Sequence, residues 1–244
     1  LKKLDLDLEY PFGDDLPFRG NNVGLEYLGV YTDCINVKVL NDSLGFAKQC
    51  KSLKKVVVHD YPQGVDLDYV GQVDMTRFLR KLTSSAQILK LTTHTVVDNL
   101  IAFPSHKYGL ENVRSLDISW AYVSLFKVLY LIKALPDLQK LTWECHGLGA
   151  ELEGIAKDEL PDHIVSTMGN LGSCLYKLHM VKFSTPPMEK VVECIMLLAL
   201  VCPKLYTVSS WDWRISEYRD ELAKVLESNG PFSKYASRLG KLLE

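Results

Sequence analysis

The chain opens on LKKLDLD (residues 1–7), and LQKLTWE (residues 138–144) repeats its design, with apolar side chains at the first, fourth and sixth positions. Leucine supplies 39 of the 244 residues, so spacing, not leucine content, has to decide whether this is a repeat. The frame occurs eight times, starting at Leu1, Leu25, Leu53, Ala86, Val113, Leu138, Leu175 and Leu205. Successive starts lie 24, 28, 33, 27, 25, 37 and 30 residues apart, a mean of 29. Chance leucines would not spread so evenly from end to end, and a fixed period of this size marks a repeat array. Two copies are imperfect: Ala86 is small, and Ser210 is polar at its sixth position.

Segments of another period lie between the frames. SLGFAKQCKSL (43–53), MTRFLRKL (75–82) and LFKVLYLIKAL (125–135) place apolar residues three and four apart, as amphipathic helices do. MEKVVECIMLLAL (188–200) is apolar on nearly every side, which predicts a helix covered by neighbours. Each unit therefore reads as strand, loop, helix, loop. Parallel strands stack ~4.8 Å apart, whereas packed helices need roughly 8–10 Å. Two such layers of equal repeat number cannot both be straight. The expected fold is thus an α/β horseshoe of about eight irregular repeats, with parallel strands on the concave face and helices on the convex face. From Ile215 the pattern changes to a helix, a turn at SNGP (228–231) and a last helix carrying Phe232, Tyr235, Ala236, Leu239, Leu242 and Leu243 on one face. The organisation expected is one domain over 1–244, with repeats over 1–214 and a helical cap over 215–244.

Composition narrows the function. A net charge of −2 gives no reason to expect a nucleic-acid partner. The longest uncharged apolar run, CIMLLALVCP from Cys194, is ten residues against the roughly 20 that a bilayer demands, so no membrane partner is expected. The six cysteines (34, 50, 145, 174, 194 and 202) show no metal-binding spacing. They read as free, mostly buried thiols in a reducing compartment, the cytoplasm or nucleus. The chain begins inside a repeat, without Met and with nothing to cover its first strand, so it is expected to be a fragment lacking an upstream region.

The frame, its 28-to-30-residue average and the long outer helices resemble the ribonuclease-inhibitor-like class of leucine-rich-repeat proteins, across essentially all 244 residues. Helices that end in Cys and run into the next frame, CKSL (50–53) and CPKL (202–205), resemble the cysteine-containing subtype common in F-box proteins. In those proteins the repeats act as substrate receptors of ubiquitin ligases. The resemblance implies a protein partner held on the concave face and insertion loops, and a ubiquitin-ligase adaptor bound through a segment upstream of Leu1. A second reading is a regulator of a small GTPase, which needs an arginine on a loop after a strand; Arg19 and Arg214 have that context. A third is a non-enzymatic leucine-rich-repeat scaffold. The chain departs from the family at the ninth frame position, usually Asn or Cys, which here is Glu9, Asp33, Tyr61, His94, Ala121, His146, Phe183 and Trp213.

Strand side chains alternate, so frame positions three, five, seven and eight face the concave side or its rim. The candidate partner-binding residues are Tyr31, His59, Lys90, Asp117, Trp120, Glu144, His179, Trp211 and Arg214. Trp, Tyr and Arg are the usual anchors of protein interfaces. Trp213, at a ninth position, is expected to pack inward, which leaves Trp211 for the surface. Insertion loops are expected after Tyr10, Tyr61 and Cys145, the last rich in Glu and Asp. The six histidines fall in no metal spacing, and no nucleophile elbow or phosphate-cradling glycine loop is present. No catalytic, cofactor-binding or metal-binding residue is therefore assigned, and the chain is not expected to be an enzyme.

Overall fold

A computed structural model describes residues 2–7, 24–32, 52–60, 86–91, 97, 101, 112–169, 171, 174–181, 186–212, 214–228 and 230–243. Most of the helices expected over 43–53 and 75–82, the insertions after Tyr10 and Tyr61, Arg19 and Trp213 lie outside these residues. The chain divides into two compact units, Leu1–Ala121 and Tyr122–Glu244.

The first unit carries β1 (Lys3–Asp7), β2 (Tyr27–Thr32), β3 (Lys55–Asp60), β4 (Ile88–Leu91) and β5 (Ser115–Ile118). Each strand pairs with the next in parallel, and the partners sit at the repeat intervals: Lys3 with Tyr27, Tyr27 with Lys55, Lys55 with Ile88, and Ile88 with Ser115. Just before each strand, the carbonyl at frame position two accepts two N–H groups from the following repeat. Glu26 and Tyr27 donate to Lys2 at 2.9 and 3.1 Å, Lys54 and Lys55 to Glu26 at 2.9 and 3.1 Å, and Arg114 and Ser115 to Gln87 at 2.9 and 3.0 Å. The pleat then sends frame positions four and six inward, and position one, which precedes the strand, is buried as well. Leu25, Leu28, Leu53, Val56, Val58, Ala86, Leu89, Leu91, Val113, Leu116 and Ile118 are all buried.

The second unit alternates helices with strands. It runs α1 (Leu125–Ala134), β6 (Lys140–Trp143), α2 (Ala150–Glu153), α3 (Leu160–Met168), β7 (Lys177–Met180), α4 (Met188–Val201), β8 (Thr207–Ser210) and α5 (Ile215–Glu227). β6, β7 and β8 pair in parallel at the repeat interval, and the forked bond recurs: Tyr176 and Lys177 donate to the Gln139 carbonyl at 3.1 and 3.3 Å. In α1, Leu125, Val128, Leu129 and Ile132 form the buried face that their spacing predicts. As expected, α4 is covered nearly all round: from Met188 to Val201, eleven residues are buried. It packs against α1, α3 and α5.

Two expectations change. The glycine-bearing stretch from Cys145 is not simply a loop. Gly147 and Gly149 take φ of +90° and +96°, which turn the chain, and the residues beyond them wind into α2 and α3. The final segment is not one helix but a 3-10 turn (Ser233–Tyr235), a short α6 (Ala236–Leu239) and a second 3-10 turn (Gly240–Leu243). Phe232, Leu239 and Leu242 are buried there, while Leu243 is 38% exposed. The Asp162 carboxylate of α3 fastens this cap, accepting from the Lys234 ammonium and, at 2.6 Å, from the Tyr235 hydroxyl.

Two outcomes test this packing. Trp143 is fully buried at a sixth frame position, and its Nε1–H donates to the Val123 carbonyl at 2.9 Å. Trp143→Phe removes that donor and leaves a gap, so urea unfolding should show a loss of about 2–4 kcal/mol. The hydrogen bonds from Lys234 and Tyr235 hold the Asp162 carboxyl below its ordinary pKa. A lowered folded pKa stabilises fully above the unfolded value of ~3.9 and is lost as pH falls through the folded one. Amide exchange at Leu239 and Leu242 should therefore accelerate in that acid range, and Asp162→Asn should remove the acid dependence.

Candidate functional site

The same pleat that buries positions four and six turns positions three, five and seven outward, and register sets them side by side. In the first unit, Lys3 pairs with Asp5 at 3.0 Å. Asp5 faces Gly29 across β1 and β2, and a Cβ on Gly29 would lie 2.2 Å from the Asp5 carboxylate, so the absent side chain makes room for that acid. Tyr27 lies between the ammonium groups of Lys3 and Lys55, 4.8 and 5.6 Å from its ring centre. Burial, then the charge of Asp5 and contact with Tyr31, push its phenol up to about 12.

Tyr31 stacks flat on its register partner His59, with ring centres 4.6 Å apart and planes 5° from parallel. Burial and then the Lys90 charge lower the His59 pKa, which favours the neutral imidazole. Lys90 in turn meets its register partner Asp117 at 3.3 Å, with both side chains roughly a quarter exposed. Asp117 also accepts the Ser119 hydroxyl at 2.6 Å and the Ser119 N–H at 3.1 Å. Trp120 follows with 68% of its surface in solvent. Tyr31, His59, Lys90 and Asp117 are thus consecutive links on one face, and Trp120 stands beyond the end of β5.

The second unit repeats the theme with more aromatic character. Glu144 is half-buried. Its charge raises the His146 pKa, but burial, the larger cause, lowers it. His146 stacks on Tyr122 at 4.0 Å. His179 shares a hydrogen bond of 3.0 Å with the Ser209 hydroxyl through Nδ1 and meets the Trp211 ring edge-on at 4.7 Å. Trp211 is 82% exposed. Arg214 does not join them. Its N–H is held by Asp212 and its guanidinium by Glu217 at 2.8 Å, which turns the side chain toward the start of α5.

Other rings on the surface went unread in the sequence. Tyr122 and Tyr206 are 61% and 53% exposed, and Tyr206 stacks on Tyr176 at 6.0 Å. Tyr176 and Tyr206 share frame position two, a column that could have revealed them, whereas Tyr122 lies beyond the frame and has no such signal.

Cys145 and His146 diverge as neighbours on an extended chain do. The Cys145 thiol is buried and hydrogen-bonds with that of Cys194, and this contact together with burial pushes the Cys194 thiol well up. Among the described residues, no three His, Cys, Asp or Glu side chains gather as metal ligands, and no helix is long and apolar enough to cross a membrane. The arrangement suits recognition: rigid stacked rings with fixed polar neighbours, which lose little side-chain freedom on contact.

The His59 environment can be checked directly. Lys90→Met removes the smaller of the two causes that lower it, so the His59 pKa should rise in an NMR titration yet stay below ~6.5, because burial persists and outweighs the opposing Asp5 charge. No family model matches the chain, and no curated protein matches it either.

Proposed function

We propose that the chain is a protein-recognition scaffold of the leucine-rich-repeat kind, a horseshoe whose strand face and rim hold a partner. The observation that carries this reading is Trp211, an indole left 82% in solvent and steadied edge-on by His179 beside β8. An exposed indole held in a fixed orientation is the kind of aromatic anchor that dominates interface energies when a partner covers it. Trp120 supports the same use of the first unit's face.

The most specific form of the proposal is the substrate-binding repeat region of an F-box ubiquitin-ligase receptor, which presents its bound protein for ubiquitination. The helix ending CPKL supports it. Cys202 is buried at the end of α4, and its carbonyl accepts the Leu205 N–H at 2.9 Å as the chain turns into β8. The GTPase reading gains nothing from Arg214, whose guanidinium is engaged by Glu217.

Affinity capture with the intact chain tests this. Trp211→Ala should weaken partner binding by at least ~2 kcal/mol and leave the melting temperature unchanged. Undiminished affinity would remove Trp211 from the site. For the ligase form, the captured protein should accumulate in cells lacking this chain, and proteasome inhibition should erase the difference; equal levels in both cells would refute it.

A further inference from the structure

The helical side of the second unit contains a cavity of about 340 Å³, which the strand face does not use. Its apolar wall is Met196 from α4, Val225 from α5, and Pro231 and Phe232 from the turn that follows. Its charged wall is Asp158 with Glu189 and Glu193, against Lys157 alone. Glu189, Glu193 and Met196 are four and three residues apart on α4, so one helix face supplies both the acids and the floor.

The acids are not neutralised from within. Lys157 reaches Glu189 only at 3.8 Å, and the two side chains are 79% and 70% exposed, a pair worth little in water. Glu193 is half-buried beside Cys194 and Met196, and burial raises its pKa despite the opposing charges of Lys157 and Lys190. A carboxylate in that position gains from any cation that arrives with its own apolar cover.

We propose that this cavity docks a basic amphipathic segment of a partner protein, with an arginine between Glu189 and Glu193 and an adjoining apolar side chain on Phe232 and Val225. Charge complementarity selects the sign of the partner. An acidic segment is repelled, and a purely apolar one strands a half-buried carboxylate. A purely polar basic one leaves the apolar wall wet. Arginine fits better than lysine, since its planar fork pairs with carboxylates while its stem and face lie on apolar surface. The volume is at the low end of the roughly 300–1,000 Å³ of pockets that hold compact ligands, enough for one or two side chains.

The test is fluorescence anisotropy with the full chain and three labelled octapeptides: alternating Arg and Leu, alternating Glu and Leu, and alternating Arg and Ser. The Arg–Leu peptide should bind saturably and weaken with added salt. The double variant Glu189→Gln, Glu193→Gln should lose about tenfold in affinity for it. That variant should fold, since Glu193→Gln relieves a half-buried charge, and an unchanged melting curve verifies this. Trp211→Ala should bind the peptide as the wild type does, which separates this surface from the strand face. Three results would overturn the proposal: no saturable binding of the Arg–Leu peptide, equal binding of either other peptide, or undiminished binding by the double variant.

Discussion

A carbonyl that accepts two N–H groups at once fixes how each strand meets the next. The fork recurs at frame position two, from Lys2, Glu26, Lys54 and Gln87 in the first unit and from Gln139 and Tyr176 in the second. It clamps the chain one residue before the strand begins, and all pairing downstream inherits that register. A slip by a single residue would turn every strand's apolar set outward. The intervals between repeats can therefore vary widely, 24 residues in one place and 37 in another, without disturbing which side chains are buried. In the longest interval the extra residues follow β6, where they wind into α2 and α3 and leave the register untouched.

Register also makes the surface. Tyr31 stacks on His59, and Lys90 meets Asp117, because each pair shares a level on adjacent parallel strands. Such contacts bring together residues some 27 or 28 positions apart in sequence, and each side chain restrains the next. The result is a face of fixed groups, with exposed indoles at the ends of strands where the pleat no longer dictates direction. Rings held this way are already oriented, so they have less side-chain freedom left to lose on any further contact.

How much of this was legible follows from which forces act locally. Burial at frame positions four and six is plain, since it depends on alternation within a short strand, and position one is marked by its recurring apolar residue. Equally plain is the buried face of α1, which rests on a helical period alone. The stretch after Cys145 was misread because its glycines are turn residues, and the helices beyond them are short and rich in exposed acids, with little apolar periodicity to announce them. The cap differs from a single helix for a similar reason: its apolar spacing suits a helix and a tighter 3-10 turn alike, and only tertiary contacts, α6 on α4 and the closing turn on α5, distinguish them. Tyr31, His59, Lys90 and Asp117 fall on one strand face because they share frame columns, whereas Arg214 folds back on Glu217 because helix α5 starts beside it. The acidic run after Cys145 hints at one wall of the cavity, but the cavity itself has no local signal, since its walls come from segments up to 75 residues apart.

The encasement of α4 has one more consequence. It is held by α1, α3, α5 and the cap, and eleven of its residues are buried. Arrays of repeats commonly fray from an end, one unit at a time, because each touches only its neighbours. Here the departure of any one surrounding helix would bare part of a continuous oily rod, so the neighbours gain by leaving together. The second unit should therefore open as a single cooperative block, its slowest-exchanging amides sharing one opening free energy.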